Sequence, residues 1–308
     1  MTWRTRAAPL CRNAKYQLQT GSPYGGCRCH NFGAKMERSV SYIAIAAAAV
    51  FVAGVVGGPL LWSHKPYRPA SPATVLLAAG TQQYRPAGEF RQGTRVVDAP
   101  LQTIPAAAIE VMKYHVSEDD YARCVADKAC QDSPSANRPA MPKTNVSFGD
   151  ATAYARWFSV QTGGEWRLPT DAEWLRLAGE RAFDDGFSAE ANGSDPSRRW
   201  IASYRREVER RGEADLEVHP FGYFGVNAVG VADTAGNVWE WTNSCFQNGT
   251  VTADGTAIEG STGYCGVRAV QGKHRGFIID FVRDARSGGC AVGVPPDYLG
   301  FRLVRTLS

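Results

Sequence analysis

Residues 43–62, IAIAAAAVFVAGVVGGPLLW, run for twenty positions without a charged side chain. As a helix rising about 1.5 Å per residue, that run spans a hydrocarbon core of roughly 30 Å. Adjacent Gly57, Gly58 and Pro59 make it a poor helix for a soluble core. Basic side chains precede it: residues 1–38 hold Arg4, Arg6, Arg12, Lys15, Arg28, Lys35 and Arg38 against one acid, Glu37. The positive-inside rule then keeps the short N-terminus in the cytoplasm and exports the remainder of the chain. No strong Ala-x-Ala site lies beyond the run. An uncleaved N-terminal transmembrane anchor over residues 36–62 is therefore the expectation, with a cleaved signal peptide as the alternative.

This head also distorts the charge balance. The 308-residue chain carries a formal +4, but residues 1–38 alone carry +6, which leaves −2 for residues 39–308. A nucleic-acid partner loses its simplest support. With 44% hydrophobic and 21% charged residues, the chain has material for a core and is neither disordered nor collagenous. Residues 1–35 hold Cys11, Cys27 and Cys29 without periodicity, whereas Met36 opens MERSVSYIAIAAAAV, which reads like the start of an export signal. Translation is expected to begin at Met36, leaving 1–35 as a doubtful leader. The CRCH cluster at 27–30 lacks a second ligand pair and is not read as a metal site. Residues 63–95, rich in Pro, Ala and Gly, are expected to form an extended tether. A folded domain is expected over residues 96–308.

Within that domain, three hydroxyl residues each stand three positions before a carboxylate: Ser117 before Asp120, Ser147 before Asp150, Thr170 before Glu173. This is the capping-box pattern, and it predicts helices over about 118–128, 148–161 and 171–182. Tyr154, Trp157, Phe158 and Trp174, Leu175, Ala178 give the last two an apolar stripe. Short β-like pieces at 268–270 and 301–304 lie among Gly-, Asn- and Asp-rich loops. The pattern predicts an α+β domain with little regular secondary structure, not an alternating βαβ fold. No Gly-rich phosphate loop comes after a strand, so nucleotide binding has little support.

Five cysteines lie beyond the apolar run: Cys124, Cys130, Cys245, Cys265 and Cys290. Export favours disulfides. Two bridges among five cysteines have fifteen arrangements, and spacing alone does not choose between them. Pairing Cys124 with Cys130 and Cys245 with Cys265 joins near neighbours, and the second bridge would close a loop worth about 3 kcal/mol. Cys290 is then odd, either buried or reactive.

Several phrases occur in a telling order: EVM (110–112), NVSF (145–148), WRLPTDAEW (166–174), GNVWEW (236–241), RAVQG (268–272) and LGFRLV (299–304). Together they resemble the formylglycine-generating enzyme (sulfatase-modifying factor) family from about residue 96 to 308. The resemblance implies a compact, loop-rich fold related to C-type-lectin-like domains. Read physically, Thr170 caps a helix that Trp174 anchors, and GNVWEW suits a strand with one aromatic face. The resemblance also implies a structural calcium site with the Asp233 carboxylate and the carbonyls of Thr234, Gly236 and Val238 as ligands. The bland alternative is an Asx-turn without metal. The family's other calcium site has Ser203 in place of an Asn and is not carried over.

The reaction centre departs from the family. Its copper-binding cysteine pair should fall in the segment at 272–286, which reads GKHRGFIIDFVRDAR and has no cysteine. A soft Cu(I) site needs thiolates, so copper oxidase chemistry is not expected. His115, His219 and His274 lack the spacing that the iron-dependent sulfoxide synthases of this fold need. The phrases VMKYHVS (111–117), DYARC (120–124), CGVR (265–268) and DFVRDARSGGCAVG (280–293) resemble the nitrite reductase accessory branch. That resemblance implies periplasmic export and a role in denitrification beside copper nitrite reductase. Two functional readings arise. In one, Lys273, His274, Arg275, Asp280, Arg283, Asp284 and Arg286 line a groove that binds a partner protein, with internal ion pairing of the acids and Arg283 as the alternative. In the other, a protein-modifying oxidoreductase uses Cys290 as thiol and His274 as a second ligand. A lectin-like ligand binder is a third, suggested by fold analogy alone.

Overall fold

The computed structural model describes residues 72–134, 138, 140–184, 186, 197–198, 201–202, 204–205, 217–284, 290–292 and 298–307. The leader and the apolar run, residues 1–62, lie outside them. Among the described residues no helix is long and apolar enough to cross a membrane.

The expected tether is instead part of the fold. Residues 63–95 include three strands, β1 (Thr74–Leu77), β2 (Gly80–Tyr84) and β3 (Gly88–Gln92). They are succeeded by β4 (Arg95–Val97), β5 (Gln102–Ala106) and β6 (Ile109–Met112). β1 pairs antiparallel with β6, and β3 runs parallel to a strand more than 150 residues later in the chain. Their Pro- and Ala-rich surroundings hide apolar positions that the fold buries: Leu77, Ala87 and Phe90. A tether would leave these in water.

The three helices start where their caps dictate. In α1 (Glu118–Ala126) Ser117 accepts from the Asp120 N–H, and three acids occupy the first turn. In α2 (Phe148–Thr162) the Ser147–Asp150 box is reciprocal, and Gly163 ends the helix in the left-handed region at φ 71°. In α3 (Asp171–Ala178) the Thr170–Glu173 box is likewise reciprocal. The far ends differ from expectation. α1 stops at Ala126 because Lys128 turns left-handed, and α3 gives way to a 3₁₀ turn at Gly179–Arg181.

The largest sheet is built on two long strands, β7 (Trp239–Val251) and β8 (Ile258–Gln271), which pair antiparallel. β9 (Arg275–Ile279) and β10 (Cys290–Val292) extend it on one side, in the order β10-β9-β8-β7-β3-β4. β11 (Leu299–Gly300) lies parallel to β7, and β12 (Val304–Thr306) joins β6 and β1 in a second sheet. Of residues 301–304, expected as one strand, only Val304 belongs to one, and Arg302 between the two ladders is fully buried. At the start of β7 Trp239 and Trp241 share one face, as expected, and Glu240 on the other face is buried as fully as Trp241. Both faces are interior at this end of the strand. The main core packs α1 and α2 (Tyr121, Tyr154, Trp157, Phe158) with Trp241, Val270, Ile278 and Phe301. A second cluster sets Trp174 and Leu177 of α3 against Ile109, Val111 and Val304. This is a mixed α+β fold with few helices and a dominant sheet.

Candidate functional site

The seven groove candidates lie on β9 and its two flanks, and the fold separates them. Lys273, His274 and Arg275 sit at the β8–β9 turn, where Gly272 N–H donates to the His274 carbonyl at 3.1 Å. Asp280, Arg283 and Asp284 leave the opposite end. Along an extended strand the five steps from Arg275 to Asp280 cover roughly 17 Å. Arg286 lies outside the described residues.

At the β9 exit, Arg283 is clamped rather than free. Its Nε and Nη2 donate to Asp150 Oδ2 and Oδ1 at 2.7 and 2.8 Å, Nη1 to the Asp132 carbonyl at 3.2 Å, and Nη2 to Gln131 Oε1 at 3.1 Å. Burial pushes the Asp150 carboxyl up, but Arg283 and the Ser147 hydrogen bonds outweigh it and hold it below the usual range. The Asp280 carbonyl accepts from Phe148 N–H at 2.9 Å, so strand exit and helix start are joined twice. Between these two anchors, the turn closed by Val282 N–H on the Ile279 carbonyl presents Phe281, 75% exposed.

The other flank is structural. Arg275 pairs with buried Asp171 at 3.0 Å, where Tyr84 Oη and Gln271 Nε2 also donate, at 3.0 and 2.6 Å. Burial and then Asp171 push the Tyr84 hydroxyl well above its ordinary range. The His274 ring stands edge-on to Trp239 at 4.5 Å, and a Cβ on Gly272 would lie 2.6 Å from that indole, so glycine is required there. Arg275 is therefore withdrawn from the groove.

Cys290 and His274 are not brought together. Cys290 opposes Ile278 in the ladder, four residues from His274, or roughly 13 Å along the strand. His115 is buried against Glu240 and Arg302, and His219 stacks on Tyr223 at 3.8 Å. Among the described residues no group of His, Cys, Asp and Glu is arranged to hold a metal. Two of the four expected calcium donors, the Asp233 carboxylate and the Thr234 carbonyl, meet protein groups. Asp233 accepts from the N–H of Gly222 and Phe224, at 2.6 and 2.9 Å, and adopts φ 58°. The Arg181 guanidinium reaches the carbonyls of Phe224 and Thr234 at 3.0 and 3.5 Å. A positive charge thus stands 3.5 Å from one of the four expected donors, the Thr234 carbonyl. The Asp233 bonds reach nine and eleven positions back along the chain, so Asp233 ties two loop segments together instead of forming a local Asx-turn.

The structure joins Cys124 to Cys130 and Cys245 to Cys265, with Cα separations of 5.3 and 4.4 Å. Beside the second bridge lie residues that the sequence did not single out. Arg268 covers the Phe148 ring at 4.0 Å and points Nη1 at Cys245 Sγ, 3.3 Å away, and Phe246 meets Phe277 edge-on at 4.8 Å. Tyr264 is 60% exposed. Arg268 falls in two of the phrases quoted from the sequence, RAVQG and CGVR, but neither tells that it stands beside the bridge, since that depends on β7 and α2. The arrangement offers a face carrying one exposed aromatic, a partly buried cation and a disulfide.

Comparison with known proteins agrees with this architecture. The sulfatase-modifying factor enzyme 1-like domain (FGE-sulfatase) model matches residues 63–307, including the strands of the supposed tether. The formylglycine-generating enzyme of Streptomyces coelicolor is 36% identical over 119 residues, covering 35% of this chain and 34% of that enzyme. That of Mycobacterium tuberculosis is 36% identical over 120 residues, 38% of each chain. The aligned part thus spans little more than a third of these relatives. Among solved structures, PvdO from Pseudomonas aeruginosa superposes with a TM-score of 0.46 at 20% identity, over 77% of this chain and 95% of that one. With the family model running from ahead of β1 to the end of β12, this chain belongs to the sulfatase-modifying factor enzyme 1-like domain family.

Proposed function

We propose that the protein is an exported, NirV-type accessory protein of denitrification that assists copper nitrite reductase maturation or function by holding a protein partner. It is anchored to the inner membrane by residues 43–62, or released into the periplasm after cleavage there. The branch phrases at 111–117, 120–124, 265–268 and 280–293 support the assignment. Two disulfides suit an oxidising compartment. The segment at 272–286 lacks the thiolate pair that a copper oxidase of this family needs.

One observation carries the binding reading. Phe281 is 75% exposed, yet it stands on a turn clamped by the Arg283–Asp150 ion pair and the Asp280–Phe148 hydrogen bond. An aromatic side chain held ready in water loses little conformational freedom on burial, which is what a binding anchor requires. Arg283 acts here by positioning Phe281. The test is calorimetric titration of the purified full chain with copper nitrite reductase. Wild type is expected to bind, and Phe281→Ala to weaken binding by at least about tenfold, the cost of a typical anchor. No binding by wild type, or equal affinity for Phe281→Ala, overturns the proposal.

A further inference from the structure

The Cys245–Cys265 bridge differs from its companion in exposure and in the charge beside it, two factors that govern thiol–disulfide exchange. Cys124 and Cys130 are buried, at 0% and 8% exposure, beneath the helical core. Cys265 is exposed, and Cys245 is partly so. The ladder explains this. Register jumps from Cys245↔Arg268 to Phe246↔Tyr264, so Cys265, Gly266 and Val267 bulge without partners on β7. Gly266 lets the Tyr264 ring fold over the bulge, since a Cβ there would lie 3.2 Å from that ring.

Charge makes the two sulfurs unequal. Arg268 Nη1 lies 3.3 Å from Cys245 Sγ and also reaches the Asn243 carbonyl at 3.4 Å. Its Nε is buried without a hydrogen-bond partner among the described residues. Burial lowers the guanidinium pKa, and the more distant charge of Asp280 opposes that shift. A partly buried cation with no carboxylate in direct contact among the described residues gains from an anion forming on the sulfur it touches.

We propose that Cys245–Cys265 is a thiol–disulfide exchange site that reacts reversibly with an external dithiol. A thiolate of the dithiol attacks Cys265 Sγ, forming a mixed disulfide and breaking the protein S–S bond. Cys245 leaves as a thiolate beside the Arg268 guanidinium. The second thiol of the reagent then attacks its own sulfur in the mixed disulfide and releases Cys265 as a thiolate. Two electrons pass from the dithiol to the protein bridge. The dithiol becomes a cyclic disulfide, and its two protons reach the new thiols directly or through water. The reverse sequence, with a disulfide as oxidant, recloses the bridge. The hairpin survives the opening, because pairing from Phe246↔Tyr264 to Thr250↔Gly260 continues beyond the bulge. This site is independent of the partner reading, since it needs neither Phe281 nor nitrite reductase.

The test equilibrates the full chain in graded ratios of reduced to oxidised dithiothreitol, traps thiols with N-ethylmaleimide and maps labelled peptides by mass. Cys245 and Cys265 are expected to label together at a ratio at least about tenfold lower than Cys124 and Cys130 require. In Arg268→Met the rate of opening is expected to fall several-fold, and Arg268→Lys to recover part of it. Both bridges opening at one ratio, or equal rates in a folded Arg268→Met chain, overturn the proposal. Should Arg268→Met fail to fold, the reduced wild type decides: iodoacetamide must alkylate Cys245 at lower pH than Cys265, and coincident pH profiles overturn it.

Discussion

Glu240, Arg302 and His115 have side chains wholly withdrawn from solvent, and together they fix how the two sheets meet. Arg302 donates Nε and Nη2 to Glu240 at 2.7 and 2.8 Å, and reaches the carbonyls of Lys113 and Ala232 at 3.0 and 3.1 Å. His115 Nε2 lies 3.0 Å from both Glu240 Oε1 and Arg302 Nη2. Burial lowers the His115 pKa, Arg302 lowers it further, and Glu240 only partly offsets them. For Glu240, burial raises the pKa, but Arg302 and His115 outweigh it and bring it to about 2. Removing one member of such a pair leaves a buried charge uncompensated. Glu240→Gln is expected to lose about 3–5 kcal/mol in urea unfolding at pH 7. Because the folded-state pKa lies below an ordinary glutamate's value near 4.3, this contribution is whole above that value. It should drain away as pH falls from about 4.3 through 2, and acid titration of the wild-type stability checks the window. GNVWEW displays Glu240 plainly. Its partner stands 62 positions later, and no local pattern in the sequence joins the two.

At the scale of elements, the helix starts were legible and their tertiary duties were not. A capping box acts within four residues, so Ser147 and Thr170 announce α2 and α3 in the sequence. The same boxes also hold distant chain. Asp150 completes the α2 cap and receives Arg283 from 133 residues away. Glu173 completes the α3 cap and takes both Nη atoms of Arg167, six positions earlier, at 2.7 Å, and that guanidinium in turn donates to Thr306 Oγ1, 139 positions later, at 3.0 Å. Asp150→Ala and Arg283→Ala should therefore be non-additive, with a coupling of about 1–3 kcal/mol in a double-mutant cycle. Additive losses would show that the clamp on the Phe281 turn does not couple the helix to the strand exit. β8 illustrates the opposite difficulty. Its outer half is exposed and its inner half buried, so no single alternation runs along it, and only 268–270 look like strand in isolation.

The whole molecule depends on pairings remote in sequence. β1 covers one edge of β6, β12 covers the other, and β3 is the parallel neighbour of β7. A chain beginning at residue 96 would lack β1 and β3, uncover the β6 edge and empty the sites of Leu77 and Phe90. It is expected to aggregate or melt without cooperativity. A chain beginning at residue 63 should give one cooperative thermal transition and elute as a discrete species. Circular dichroism with size-exclusion chromatography checks both. A cooperative fold from residue 96 would return β1–β3 to the status of a tether.

By itself, the sequence determined the α+β class, the three helix starts, the family phrases and the absence of a cysteine pair at 272–286. Each of these is written within a few consecutive residues, where capping, apolar spacing and ligand chemistry operate. Tertiary structure alone decided that residues 74–92 are strands and that Arg275 and Arg283 are held by Asp171 and Asp150. It alone placed Arg268 against Cys245. Those outcomes depend on β-pairing and buried ion pairs between residues tens to more than a hundred positions apart. Their energy comes from desolvation that only the assembled fold imposes.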